Sequence, residues 1–82
     1  MRQVMTFTVE IEWDGEAGVW YVAESNVPGL VAEASSQEAM TALLRERVPE
    51  LLKLNMAQLV QARNAVPMEL LYKQHECIEL AS

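Results

Sequence analysis

Two turns and the strand between them lie in one segment, Asp14-Gly15-Glu16-Ala17-Gly18-Val19-Trp20-Tyr21-Val22-Ala23-Glu24-Ser25-Asn26-Val27-Pro28-Gly29-Leu30. Gly15 and Gly18 accept positive φ angles, so the first five residues predict a hairpin turn. Residues 19–25 then predict a returning strand. Pro28 fixes φ at the second position of a turn and Gly29 accepts a positive φ at the third, which predicts a type II turn.

The residues before the hairpin turn have the alternation of a strand. Apolar side chains occupy every second position from Met5 to Trp13, and threonine or glutamate stands between them. A period of two predicts a half-buried strand with one wet face, over about residues 4–13. On the second strand, Trp20 and Val22 share a face that is less polar than solvent requires, and we expect a partner chain to cover it.

A third strand and a helix follow the type II turn. Residues 30–34 predict a short strand, and the short connections favour a three-stranded antiparallel meander. Ser35 is the expected N-cap, because Glu38 three residues later completes a capping box. Apolar residues then recur at spacings of three and four, which predicts an amphipathic helix over about residues 36–54. Pro49 lies inside it and predicts a kink or break near Val48.

The C-terminal third of the sequence predicts one more strand. Residues 55–67 have weak helical spacing and are compatible with a loop or a short helix. Alternation from Met68 to Leu80 predicts a fourth strand over residues 68–80. The expected fold is therefore α+β: a single domain, residues 1–82, of order β-β-β-α-β, with an antiparallel sheet and one main helix packed on one face.

Size and composition favour a small globular domain that associates with other chains. An 82-residue chain buries a limited share of its surface, so we expect a homo-oligomer, most simply a homodimer. Cys77 is the single cysteine and forms no internal disulfide, which is typical of a reducing compartment. The sequence has neither a signal peptide nor an apolar run of about 18 residues, so we expect a cytoplasmic protein without membrane segments.

The charge distribution favours a basic partner. The net charge is −6, and up to Ala34 the only basic residue is Arg2. An acidic surface repels phosphate backbones, so nucleic acid is not an expected direct ligand. A small basic protein is a better match, because complementary charge accelerates encounter.

The residue types of a catalytic or metal centre are scarce. His75 and Cys77 are two apart on a predicted strand, without the further cysteine or histidine ligands that zinc takes. The carboxylates of the first strand have no histidine or arginine beside them and are typical of a solvated face. We expect no enzymatic activity, no cofactor and no metal, and assign no role to His75 or Cys77.

The order of these motifs resembles the N-terminal domain of HicB-like antitoxins. The matching residues are Val9, the strand Trp20-Tyr21-Val22-Ala23, the turn Pro28-Gly29-Leu30 and residues 35–39. The resemblance implies a β-β-β-α-β unit, a partial version of the double-stranded-RNA-binding fold. It also implies binding to a small basic HicA-type toxin, an RNase that carries the fuller fold and a catalytic histidine.

Two departures from the usual HicB-like pattern refine this expectation. Typical members continue into a helix-turn-helix or ribbon-helix-helix segment, whereas this sequence stops at Ser82, so we expect no direct contact with DNA. The run Val48-Pro49-Glu50-Leu51-Leu52 is similar to a small stand-alone subgroup of bacterial HicB-like proteins without an assigned role. The alternative hypothesis is an orphan domain of unknown function that associates only with itself.

Seven residues are candidates for binding a partner. We expect acidic residues of the first two strands and their turn to steer a basic partner, and two aromatic residues to supply most of the binding energy. The candidates are Glu10, Glu12, Asp14, Glu16, Trp20, Tyr21 and Glu24.

Overall fold

The computed structural model describes residues 5–60 and 63–81, which form a four-stranded mixed sheet with one long helix on one face. The α+β class and the β-β-β-α-β order are therefore confirmed, with one short helix added before the last strand. The elements, in chain order, are β1 (Phe7–Asp14), β2 (Val19–Ser25), β3 (Glu33–Ala34), α1 (Gln37–Asn55), α2 (Ala57–Val60) and β4 (Met68–Lys73).

The hydrophobic core lies between the central strand and α1. Phe7, Val9 and Ile11 of β1 are completely buried, while the residues between them are only partly buried. On α1 the buried residues recur at every fourth position, which forms one continuous stripe facing the sheet. These helix residues are Met40, Leu44, Val48 and Leu52.

The prediction of an antiparallel sheet is wrong for the fourth strand. The strand order is β3-β2-β1-β4, and β4 runs parallel to β1, with Phe7 paired to Met68 and Glu12 to Lys73. The reason is the direction of α1. This helix of 19 residues returns the chain to the end of the sheet where β1 begins, so a strand that then pairs with β1 must run the same way.

The predicted strands are longer than the observed ones at three places. The first strand starts at Phe7 rather than near residue 4, which lies outside the described residues, and the third has only Glu33 and Ala34. The fourth ends at Lys73 instead of residue 80, and residues 74–81 have no regular secondary structure. Because β1 turns away at Asp14, the chain beyond Lys73 has almost no neighbouring strand to pair with.

The helix begins one residue later than expected and continues through its proline. Ser36, not Ser35, is the N-cap, and its side-chain oxygen accepts a hydrogen bond from the Ala39 amide at 3.0 Å. The predicted capping box with Glu38 is therefore wrong by one position. α1 is not broken near Pro49, because this residue lies on the exposed side, where its missing N–H costs little buried hydrogen bonding.

Both predicted turns are present. Asp14 Oδ1 accepts hydrogen bonds from the amides of Glu16 and Ala17, and Gly18 closes the hairpin with a φ of 71°. In the second turn the Leu30 amide donates to the Val27 carbonyl at 3.3 Å, and Gly29 has a φ of 74°. These positive φ angles are the reason for glycine at both positions.

A β-bulge in β2 changes which side chains face the helix. Glu10 pairs with Glu24, whereas the next residue, Ile11, pairs with Val22, so Ala23 is the extra residue. Without the bulge Glu24 would share the helix-facing side with Val22. The bulge turns this carboxylate to the opposite face of the sheet. We expected a partner chain to cover Trp20 and Val22. Instead, Trp20 belongs to the core of this chain and Val22 packs against that core.

The side chain of Asn26 holds the first residues of β1. Its Oδ1 accepts from the Thr8 amide at 2.8 Å, and its Nδ2 donates to the Thr6 carbonyl at 3.2 Å. The amide group thus replaces a backbone partner where β2 has already ended. We expect Asn26→Ala to lower the free energy of unfolding by about 1–2 kcal/mol, since two exposed hydrogen bonds are lost.

Urea unfolding of wild type, Asn26→Ala and Asn26→Asp measures this contribution. The aspartate keeps the acceptor for Thr8 but loses the donor to Thr6, so we expect an intermediate loss of stability. Equal stability of wild type and Asn26→Ala would show that this bridge contributes nothing.

Candidate functional site: the outer sheet face

The side of the sheet that α1 leaves uncovered forms a continuous surface, which we call the outer sheet face. Its members follow from the pairing register, because directly paired residues point to the same side of a sheet. The outer sheet face consists of Thr8, Glu10, Glu12, Asp14, Val19, Tyr21, Glu24, Glu33, Glu69, Leu71 and Lys73.

This face carries a strong negative charge. Among its described residues six are acidic and one is basic. Lys73 forms an ion pair with Glu10, with 2.6 Å between Nζ and Oε1. The hydrogen bond and the charge of Glu10 raise the pKa of Lys73 above its ordinary value of 10.5, and Glu12 and Glu24 add to this effect. The pair therefore stabilises the fold below pH 10.5, and its contribution is lost as the pH rises through the raised pKa.

Two carboxylates oppose each other directly across the central strands. Glu10 of β1 pairs with Glu24 of β2, and like charges at such positions destabilise a sheet. Lys73 compensates Glu10 from the other side, while Glu24 is exposed. The bulge at Ala23 brings Glu24 to this face, so the fold keeps an unfavourable pair of like charges there.

Tyr21 is the aromatic residue of the outer sheet face. It lies in the register between Glu12 of β1 and Glu33 of β3. Its hydroxyl donates a long hydrogen bond of 3.5 Å to Glu12 Oε1. A half-buried ring with carboxylates on both sides offers an apolar surface and a negative rim together, which is the arrangement that lysine and arginine side chains fit.

The structure brings together five of the seven predicted binding residues. Glu10, Glu12, Asp14, Tyr21 and Glu24 share the outer sheet face. Asp14 lies at the end of that face, where its carboxylate caps the hairpin. Glu16 is exposed in the hairpin turn. These positions are compatible with a common surface, and binding to it stays a prediction.

Trp20 does not belong to this surface. It is 7% exposed and lies between two other rings, with centroid distances of 5.4 Å to both Trp13 and Tyr72. The Tyr72 hydroxyl in turn hydrogen-bonds to Thr41 and donates to the Gln37 carbonyl of α1. Trp20 therefore stabilises the contact between sheet and helix, and we remove it from the candidate surface.

Several residues of the outer sheet face were not predicted. Among them, Glu33, Glu69 and Leu71 come from strands whose neighbours the sequence did not identify. The odd positions of β4 alternate with the half-buried Met68, Leu70 and Tyr72, so the signal was in the sequence. This alternation identifies residues of the outer sheet face only once it is known that β4 pairs with β1.

His75 and Cys77 are both exposed, beyond the end of β4. Within residues 5–60 and 63–81, no group of three or more histidine, cysteine, aspartate or glutamate side chains is arranged to hold a metal ion. Across the same part of the chain, no helix combines the length and apolar character needed to cross a membrane.

Comparison with known proteins identifies the family. The family described as "Domain of unknown function (DUF1902)" matches residues 6–81, nearly the whole chain. The chain belongs to this family. Its fold is similar to the crystal structure of the hypothetical protein TTHA1013 from the extremely thermophilic bacterium Thermus thermophilus. The two chains are 39% identical, and the match covers 93% of this chain and 100% of the other, with a TM-score of 0.65.

Among curated proteins, none matches this chain. This DUF1902 domain therefore has a family and a solved relative, both without an assigned activity.

Proposed function

We propose that this chain is a non-enzymatic protein-binding domain whose outer sheet face binds a small basic protein. In the more specific form of the proposal, the domain is HicB-like and neutralises a HicA-like RNase in the manner of an antitoxin. The observation that carries it is the charge of that face: six carboxylates on a sheet surface that the protein's own helix leaves open. They are Glu10, Glu12, Asp14, Glu24, Glu33 and Glu69.

The shape and chemistry of the face support a protein partner over a small ligand. The face is one side of a sheet, whereas small-molecule sites are typically concave pockets. Tyr21 supplies a central aromatic contact, and Leu71 adds exposed apolar surface on β4. Aromatic contacts surrounded by charged residues are typical of protein interfaces.

An RNase is a fitting target for such a surface. RNases bind a phosphate backbone through lysine and arginine side chains. A row of carboxylates binds the same side chains, so the acidic face and the RNA compete for one surface. The steering of opposite charges also makes association fast and dependent on ionic strength.

Neutralising two carboxylates of the face tests the proposal. We expect Glu12→Gln/Glu24→Gln to weaken binding of the basic partner by about 5- to 30-fold, because two exposed ion pairs contribute about 1–2 kcal/mol together. The fold should not suffer, since the change at Glu24 removes its repulsion with Glu10. The variants are tagged, used to capture proteins from a lysate of the source organism, and compared by mass spectrometry and titration with the recovered partner.

The matched control removes the same charge elsewhere. Glu46 and Glu50 are exposed residues of α1, so Glu46→Gln/Glu50→Gln changes the net charge equally without touching the face. The proposal requires wild type and control to recover the same small basic protein in near-stoichiometric amount. Expressed alone, that protein should arrest growth, and co-expression with this chain should restore it. Equal recovery by all three baits would refute the role of the face.

A second candidate function is self-association without another partner. The observation that favours it is the exposure of Ile78 and Leu80 beyond β4, at 81% and 91%. Leaving two large aliphatic side chains exposed to water, two residues apart in the chain, is energetically unfavourable. Recovery of only the protein itself from the lysate would favour this candidate over the antitoxin-type role.

A further inference from the structure

An apolar groove lies on the side of the sheet that α1 covers, opposite the outer sheet face. It has a volume of about 340 Å³ and lies between the second half of α1, α2 and the chain that leads into β4. Its floor is apolar, with Leu44, Val48 and Leu52 of α1, Val60 of α2 and Met68 at the start of β4. We call it the basal groove, because it is at the end of the sheet where β1 and β4 begin.

The rim of the basal groove has the opposite charge from the rest of the protein. Arg45, Lys53 and Arg63 line it, and none of its described lining residues is acidic. The chain has six lysine and arginine residues in all and a net charge of −6. Half of its basic residues therefore surround one apolar groove, which fits an occupant that is apolar and acidic.

The C-terminal segment has this composition. Residues 74–81 are all exposed, and they include Ile78 and Leu80, which are more exposed than any other large hydrophobic residue of the described chain. Glu76 and Glu79 lie beside them. In an extended chain the two aliphatic side chains point to the same side, about 7 Å apart, and the carboxylates lie within reach of a basic rim.

The segment does not occupy the basal groove of its own chain. Met68 lines the groove, and β4 then runs away from it for five residues, about 17 Å, to Lys73. Residues 74–81 start at the opposite end of the sheet, near the β1–β2 hairpin. A second copy related by a two-fold axis can place its own segment in the groove and receive this one in return.

We infer that the protein forms a two-fold dimer in which residues 74–81 of each copy bind in the basal groove of the other. Ile78 and Leu80 contact the apolar floor, and Glu76 and Glu79 pair with Arg45, Lys53 and Arg63. The exchange is reciprocal and closed, as a symmetric dimer requires. The family match extends to residue 81, so this segment belongs to the domain. The inference does not depend on the outer sheet face.

Sedimentation velocity over a range of concentrations tests the apolar part of the inference. We expect a wild-type dimer at micromolar concentration and a dissociation constant at least about 100-fold higher for Ile78→Ser/Leu80→Ser. The control is Val31→Ser/Leu54→Ser, which alters two other exposed aliphatic residues outside the groove and should leave the dimer unchanged. A wild-type monomer, or equal dissociation constants for both variants and wild type, would overturn the inference. Dimerisation through the open edge of β4 would give the latter result.

A charge exchange tests the pairing of segment and groove directly. Chains with Glu76→Lys/Glu79→Lys and chains with Arg45→Glu/Lys53→Glu should each be monomeric, because like charges then meet in both interfaces. An equimolar mixture should form a heterodimer, since every segment again faces a groove of opposite charge. Circular dichroism confirms that each variant is folded. Failure of the mixture to associate, with both variants folded, would refute the assigned contacts.

Discussion

Replacing Trp20 by alanine should strongly destabilise this protein. The ring is buried between Trp13 and Tyr72, and Tyr72 in turn is hydrogen-bonded to α1. Truncation of a buried tryptophan to alanine costs about 3–5 kcal/mol. A domain of 82 residues has a total stability of roughly 4–12 kcal/mol, so Trp20→Ala removes a large part of it.

Urea unfolding followed by far-ultraviolet circular dichroism measures this loss. Trp20→Phe is the matched variant, because it keeps a ring in the site and should lose clearly less stability than Trp20→Ala. If Trp20→Ala lowered the free energy of unfolding by less than about 1 kcal/mol, the effect would be typical of a substitution at the surface. It would show that the tryptophan does not hold sheet and helix together.

Replacing Tyr21, the next residue, should leave the fold and remove the binding. Tyr21 is on the outer sheet face between Glu12 and Glu33, and its only side-chain hydrogen bond recorded in the described chain is the long one to Glu12. We expect Tyr21→Ala to cost about 1 kcal/mol of stability. A central interface tyrosine contributes about 2 kcal/mol or more, so affinity for the basic partner should fall at least about 30-fold.

Calorimetric titration with the captured basic partner measures the loss at Tyr21. The control is Tyr21→Phe, which keeps the ring and loses only the weak contact with Glu12, so its affinity should stay within a few-fold of wild type. Ile78→Ser/Leu80→Ser provides a second control, because both residues lie beyond β4 and outside the outer sheet face. Unchanged affinity of folded Tyr21→Ala would exclude the outer sheet face as the main contact.

Local signals in the sequence predicted most of the elements. The two turns depend on glycines at positions 18 and 29 whose positive φ angles are present in the structure. The alternation of β1 and the four-residue spacing of the α1 core are also local, because each reports which side of one element is buried. These features do not require knowledge of what the element packs against.

Features that depend on two elements together were mispredicted or missed. The parallel pairing of β4 follows from the length and direction of α1, and its end at Lys73 follows from the turn of β1 at Asp14. The bulge at Ala23 is a property of the β1–β2 register. Alternation alone places Glu24 on the same side as Trp20, and this grouping is wrong.

The same distinction explains the predicted site. The acidic residues of β1 were found because that strand alternates regularly, whereas Tyr21 was chosen for its aromatic ring. Trp20 was included because aromatic residues are typical of interfaces, but burial decides between interface and core, and burial depends on the helix. Glu33 and Glu69 were missed because only the strand order brings them beside Tyr21 and Thr8.

The parallel pairing of β1 with β4 also has a kinetic consequence. Closing the β1–β2 hairpin brings together residues a few positions apart, whereas pairing Phe7 with Met68 closes a loop of most of the domain. The entropy of the longer loop costs about 2 kcal/mol more, and nothing repays it until α1 has packed on the sheet. We therefore expect folding to begin with the hairpin, and β4 to pair with β1 after the rate-limiting step. Mutations in β4 should then chiefly accelerate unfolding, whereas mutations in the hairpin should slow refolding.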